Sequence, residues 1–321
     1  MLSVVFGTSA ALMGACVGSF LNVVIHRVPQ EDPKQRSLGG RSHCPHCGEQ
    51  IAWRDNIPLL GWLLLRGRGR CCGQAIGVRY PLVELATALL FVALWLWPPH
   101  GAWLAPGTSE LLSERLIAGL FDAAFLSFLL ASSCIDWDHR ILPDVLTKPF
   151  MGVGVAASLV VTGYLPPLDP TLTPMMNGLL SSLVGLGTGF GLTWLIQVGA
   201  RAAFRKEAMG FGDVKFMGAI GAFLGWEGAL LTFFLGSVVG AVGGLVHRFV
   251  TGDAYVPFGP FLAIGAVLTL FVREPILVFL FQTWPEWQRT DPMAPILVGV
   301  IALIGLLSLV FLVRRGRRGS Q

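Results

Sequence analysis

The chain has 321 residues, of which 54% are hydrophobic and only 13% charged, with a formal net charge of +4 and a mean hydropathy of +0.67. Globular domains carry about 25% charged residues, so this composition excludes an ordinary soluble protein and indicates a membrane protein in contact with the lipid bilayer. The small positive charge calls for no nucleic-acid partner, because a bias of Lys and Arg toward one membrane face accounts for it.

Apolar runs comparable to the ~20 residues that cross a bilayer lie near 2–25, 81–97, 115–135, 145–165, 177–199, 214–225, 228–246, 257–281 and 295–313. They are rich in glycine and lack the alternation of a lipid-facing barrel strand. The expected fold is an all-α polytopic membrane protein of eight or nine transmembrane helices, the short sixth run leaving the count open. The expected organisation is a first transmembrane helix (1–26), a cysteine-rich loop (27–80), a transmembrane core (81–281) and an extra C-terminal helix with a basic tail (282–321).

The first run lacks the basic start of a signal peptide, and its end, "GSFLNVVIHRVP", stays apolar beyond any small-residue cleavage site, so a retained span is expected. "MGAC" at 13–16 faintly imitates a lipoprotein cleavage site at Cys16, again without the basic start. Beyond this run, Arg27 to Arg79 hold nine Lys/Arg against four Asp/Glu. The connections Pro98 to Glu114 and Tyr164 to Gly178 hold no Lys or Arg, while Arg314, Arg315, Arg317 and Arg318 follow the last run. The positive-inside rule then puts the N-terminus outside and the 27–80, 136–148 and 200–213 loops inside. Nine spans also put the basic tail inside.

Four of the six cysteines fall in the 27–80 loop, as "SHCPHCGEQ" (Cys44, Cys47) and "RGRGRCCGQ" (Cys71, Cys72). A C-x-x-C turn presents two thiolates to one tetrahedral Zn²⁺ and a second pair closes the shell. Here the second pair is adjacent, a poorer geometry, so His43 or His46 is an alternative fourth ligand, with one cysteine idle. Structural zinc is the expected reading against unligated thiols or a redox pair; a disulfide is disfavoured in a cytosolic loop. No H-E-x-x-H motif marks a catalytic metal. Cys16 and Cys134, alone in apolar runs, read as small buried residues.

The third run ends in "SSCIDWDHRILPDVLT", and a later loop re-enters the membrane at "MGFGDVK". A charge inside a bilayer costs several kcal/mol, which makes acids there functional candidates. Asp213 is flanked by Gly210 and Gly212, which allow a tight turn and a close neighbour. Asp136 sits at the same depth on another helix, as a carboxylate pair sharing one proton requires. Spacing does not choose Asp136 over Asp138 or Asp144, and pairing of these acids with Arg140, Lys148 or Lys215 is the structural alternative. Lys215 reads as a snorkelling interface residue, or as a group tuning the acids. "GLGTGFG" at 185–191 imitates a nucleotide loop, but without a preceding strand it reads as close helix packing. "VPFGPF" at 256–261 breaks a helix at the membrane edge, where irregular backbone must be buried or line a cavity. G-x-S-x-G is absent.

Taken in order, "VGSFLNVVIHRVP", "CPHCG", "DNIPLLGWLLLRGR", "RYPLVELATALL", "IDWDHRILPDVLT", "MGFGDVK" and "VPFGPFLAIG" resemble the type IV prepilin peptidases, membrane aspartic proteases with a G-x-G-D motif, over nearly the whole chain to about 275. The resemblance selects Asp136 and Asp213 as the catalytic pair and 81–281 as the peptidase core. It implies cleavage of the basic leader of prepilins and type II secretion pseudopilins after glycine, at the cytoplasmic face of the bacterial inner membrane. In many members, methylation of the new N-terminus by S-adenosylmethionine follows. Against the family's two C-x-x-C pairs, Gly69 falls where the third cysteine belongs and Cys72 at the fourth, which leaves the third ligand open, substitution by Cys71 through a local shift being one way to supply it. The last span is a second departure. Two competing readings are a transporter or ion relay, which calls for carboxylates near the bilayer midplane, and a methyltransferase that has lost proteolysis.

Overall fold

The computed structural model describes residues 2–99, 109–204, 209–252, 256–291, 293, 295–296 and 299–300. It divides into two compact units, Met1–Phe271 and Val272–Gln321. The helices in chain order are α1 (Leu2–Arg27), α2 (Pro33–Arg36), α3 (Leu60–Leu64), α4 (Arg79–Leu96), α5 (Ser109–His139), α6 (Asp144–Val160), α7 (Pro174–Phe204), α8 (Phe211–Thr251), α9 (Gly259–Val278) and α10 (Trp284–Thr290). A 3₁₀ turn at Trp53–Asn56 and a π-helical turn at Phe279–Thr283 complete them. Among the described residues there is no strand, only two isolated bridges in the cysteine loop.

Among the described residues, six helical segments are long and apolar enough to cross a membrane: Val5–Arg27, Arg79–Leu96, Leu116–His139, Pro174–Ala203, Phe211–Val250 and Gly259–Thr290. The sequence suggests eight or nine. The difference has three sources. Runs 214–225 and 228–246 share the one segment Phe211–Val250, on either side of a break at Gly225, α6 has only 17 residues, and 295–313 falls almost wholly outside the described residues. The 41 residues of α8 are two helical stretches that meet at a kink rather than one straight rod. Gly225 interrupts it with φ 72°, a left-handed conformation costly for any residue with a Cβ. Large side chains such as Leu12 (70% exposed) and Phe234 (62%) face outward, as a lipid-bathed surface allows.

Within the first unit, glycine lets the helices approach. A Cβ on Gly185 of α7 would lie 2.2 Å from the Gly221 carbonyl of α8, and one on Gly189 would lie 2.2 Å from that of Met217. "GLGTGFG" is therefore a helix-packing surface, the small-residue geometry that brings backbones together in membranes. Likewise, Gly14 and Gly18 of α1 meet Ala88 and Glu84 of α4. The core is aromatic where α5, α6 and α8 converge: Phe125 stacks on Phe223 at 4.5 Å and Phe128 on Phe150 at 4.4 Å. A second cluster joins Leu21, Val24 and Ile25 of α1, Val83 of α4 and Ile135 of α5. Together these contacts hold the C-terminal end of α5 and the N-terminal end of α8. In the second unit, α10 carries the Trp284–Trp287 pair, edge to face at 5.4 Å.

Candidate active site

Asp136 stands in the last turn of α5, just before the chain reverses through Arg140 at φ 57°. Its carboxylate is buried, 6% exposed. Oδ2 accepts the backbone N–H of Gly259 at 3.0 Å, the first residue of α9. The first amides of a helix lack intrahelical acceptors, so such an N–H is available to an anion. A Cβ at position 259 would lie 2.5 Å from that oxygen. Only glycine lets the α9 backbone come this near. The "VPFGPF" turn therefore closes over the acid.

Asp213 is the third residue of α8. Its Oδ2 accepts the N–H of the N-cap Gly210 at 3.2 Å, as a capping acid does. It is 9% exposed. The aromatic contacts of Phe125 and Phe128 with Phe223 and Phe216 bind the two helices together behind the acids.

Their neighbours differ. Asp138 is ion-paired with Arg79 of α4, whose second guanidinium nitrogen donates to the Cys134 carbonyl at 3.2 Å. Asp144 takes Lys148 at 2.7 Å and Lys215 as well. Lys215, half-buried with its ammonium 5.0 Å from the Phe211 ring centroid, is thus the partner of Asp144 rather than a snorkelling side chain. Among the described residues, neither Asp136 nor Asp213 has a cationic partner. This sets them apart from Asp138 and Asp144, each of which is paired with a lysine or arginine.

In the loop, Cys44 and Cys47 form one knuckle: the Cys44 N–H donates to the Glu49 carbonyl, the Gly48 N–H to that of Cys44, and the Ile51 N–H to that of Ser42. The same ladder recurs further on, from Gly69 to Gln74, Gly73 to Gly69 and Ile76 to Gly67. Gly48 and Gly73 have matching φ of 71° and 68°. Backbone equivalence thus pairs Cys47 with Cys72 and Cys44 with Gly69. The missing thiol is supplied from the knuckle tip by Cys71, and all four sulfurs lie within 4.8 Å of one another. Sulfurs at the corners of a tetrahedral Zn–thiolate site with bonds of about 2.3 Å are about 3.8 Å apart. Here Cys44–Cys72, Cys71–Cys72 and Cys47–Cys71 are 3.7, 3.9 and 3.3 Å. The quartet fits a metal ion without recourse to His43 or His46. The backbone N–H groups of Cys47 and His46 bring the Cys44 thiol down to about 6, whereas the neighbouring Cys47 thiol pushes Cys71 up to about 12, as four crowded sulfurs without a shared cation must divide their protons. Arg70 forks onto Asp55 at 2.9 Å, tying the second knuckle to the 3₁₀ turn and holding that carboxyl below the usual range.

Sequence reasoning passed over Gly259 as a ligand of Asp136, and also two more buried acids, Glu84 and Asp122, 8% and 1% exposed. The signal was an acid within an apolar run. Asp122 accepts the buried Tyr164 hydroxyl at 2.8 Å, and Glu84 accepts the Leu59 N–H at 2.7 Å.

Comparison with known proteins gives two family matches. Residues 12–97 match the bacterial peptidase A24 N-terminal domain and residues 123–245 the type IV leader peptidase family. The chain is 41% identical to a Klebsiella pneumoniae prepilin leader peptidase/N-methyltransferase over 235 residues, 72% of this chain and 91% of that one. A Pseudomonas aeruginosa protein of the same description is 37% identical over 83% of this chain and 90% of its own. An Escherichia coli type 4 prepilin-like proteins leader peptide-processing enzyme is 37% identical over 82% and 93%. No solved structure matches.

Proposed function

We propose, from the premise that this chain belongs to the type IV leader peptidase family, that it is a prepilin leader peptidase and N-methyltransferase whose catalytic pair is Asp136 and Asp213. It is a multi-pass membrane enzyme of the bacterial inner membrane, with the acids facing the cytoplasm. Its substrates are prepilins or pseudopilins, whose basic leader lies on that side. One observation carries the assignment: of the four acids around the ends of α5, α6 and α8, only these two are held by glycine amides and not by a lysine or arginine.

The two acids hold one proton between them. The ionised carboxylate takes a proton from water as its oxygen attacks the scissile carbonyl after glycine, and the protonated partner then gives its proton to the leaving amine. No covalent intermediate forms. The pH–rate profile belongs to the pair as a unit. Gly259 and Gly210 orient the carboxylates without neutralising them. Cys44, Cys47, Cys71 and Cys72 would hold a structural zinc ion, which with four thiolate ligands would leave no open position for hydrolysis. An ion relay is disfavoured because both acids stand at helix ends rather than at mid-span.

The test is processing of a co-expressed prepilin, followed by the mass of the product's N-terminus. Asp136→Asn and Asp213→Asn should each lower leader removal by about 10²-fold or more while zinc content and membrane insertion persist. Normal cleavage by either variant sinks the pair.

A further inference from the structure

Ser132 lies inside α5, four residues before Asp136, and is fully enclosed, 0% exposed. Among the described residues its Oγ has no hydrogen-bond partner. Comparable hydroxyls are satisfied. Ser127 and Ser133 of the same helix donate to the carbonyls one turn back, those of Ala123 and Leu129, each at 2.7 Å. Thr193 of α7 does the same to Gly189 at 2.7 Å. A buried hydroxyl without a partner is destabilising, and the bond to the carbonyl one turn back is the local remedy. Ser132 does not use it.

Helix geometry shows what lies beside this hydroxyl. Residues four apart share a face and stand about 5–6 Å apart, and helical side chains lean toward the N-terminus. The Asp136 carboxylate therefore reaches back over the turn that holds Ser132. Gly259 takes Oδ2 of that carboxylate, and the described residues make no hydrogen bond to Oδ1. A second acid comes from α8. Phe125 meets Phe223 and Phe128 meets Phe216, so the two helices run antiparallel here, and the register one turn further on sets Ser132 level with Asp213. On the other side of Ser132 the same face is filled by the buried Phe125, Phe128 and Leu129. The polar side of the hydroxyl is thus the side of the acids.

Distance decides how that contact is made. No direct bond joins Oγ to either carboxylate. Two O–H···O bonds of about 2.8 Å through one water span roughly 4–5.5 Å, close to the spacing of positions i and i+4. A buried water needs two to four polar partners, and Ser132, Asp136 and Asp213 supply three. We propose that Ser132 is a positioning residue of the catalytic pair, holding an ordered water against Oδ1 of Asp136 while Gly259 holds Oδ2. The proposal rests on the peptidase reading above. The hydroxyl donates to the water and the water to Oδ1. A carboxylate oxygen has two lone pairs, so Oδ1 keeps one for the proton it takes during hydrolysis.

The test is Ser132→Ala, which installs the best helix former and adds no atom to the core, with Ser133→Ala as control. Melting temperature and the kcat and KM of prepilin cleavage are measured on the purified full-length proteins, with wild type and Asp136→Asn alongside. Ser132→Ala should lower kcat about 10- to 100-fold, the scale of a carboxylate displaced by up to 1 Å, with KM within about twofold and a lower melting temperature. Ser133→Ala should keep wild-type kcat and KM. A hydroxyl that is simply unpaired gives the opposite signs, because removing it raises the melting temperature and leaves kcat unchanged. Either of those two results overturns the proposal. So does an equal kcat loss in Ser133→Ala, or a rise in KM as large as the fall in kcat, which places Ser132 at the substrate. Inactive wild type or an active Asp136→Asn strikes the underlying peptidase reading instead, and the parallel assays separate the two failures.

Discussion

At the residue scale, the decisive contrast is between acids held by amides and acids held by cations. Asp138 and Asp144 are 32% and 44% exposed and paired, and exposed pairs of this kind contribute about 0–1 kcal/mol. Asp138→Asn and Asp144→Asn should therefore retain leader cleavage, with only a small loss of thermal stability, in the assay where the Asp136 and Asp213 variants lose it. Gly259 has no side chain and still controls Asp136. Because a Cβ there would overlap Oδ2, Gly259→Ala should displace the carboxylate, and a displacement near 1 Å costs about 10²-fold in rate. A kcat loss with unchanged zinc content would show that the effect is confined to the acid.

At the scale of elements, the two knuckles explain how an irregular cysteine pattern yields a regular quartet. Gly69 occupies the backbone position of a ligand, and a Cβ there would lie 3.8 Å from the sulfurs of both Cys71 and Cys72. Cys71→Ser should lose bound zinc, and Gly69→Cys combined with Cys71→Ser should restore it, as metal analysis of the purified protein would show. Failure of the double variant to recover zinc would mean that the knuckle tip, not the ladder, sets the ligand geometry. The α7–α8 contact is tested in the same way. Gly185→Ala puts a methyl into the Gly221 carbonyl and should cost about 1–3 kcal/mol, moving α8 and its Asp213. Gly187→Ala, two residues away with nothing within 4 Å, should be neutral in the same melting experiment.

At the scale of the whole molecule, both acids and the cysteine quartet belong to the unit Met1–Phe271. The Escherichia coli relative matches over 93% of its own length but only 82% of this chain. A chain ending after Thr290 retains both family-matched segments, 12–97 and 123–245, and should keep its bound metal and cleave prepilin within about twofold of the full-length rate. A large loss of cleavage would assign the C-terminal segment a part in catalysis or in insertion.

Much of this was legible in the residues themselves. Composition and run length specify a helical membrane protein because each helix must satisfy its own backbone in lipid, whatever its neighbours. "GFGD", the paired cysteines and the glycine-rich packing face are likewise local patterns, readable from spacing. Local pattern does not say which residues meet across the bundle. Asp136 with Gly259, Arg79 with Asp138 and Lys215 with Asp144 join positions far apart in sequence. Only helix packing brings them together, and so only the tertiary structure separates acids neutralised by a cation from acids held by backbone amides. It likewise decides that Cys71 reaches the quartet, since its sulfur position depends on the fold of the second knuckle rather than on the count of residues between cysteines.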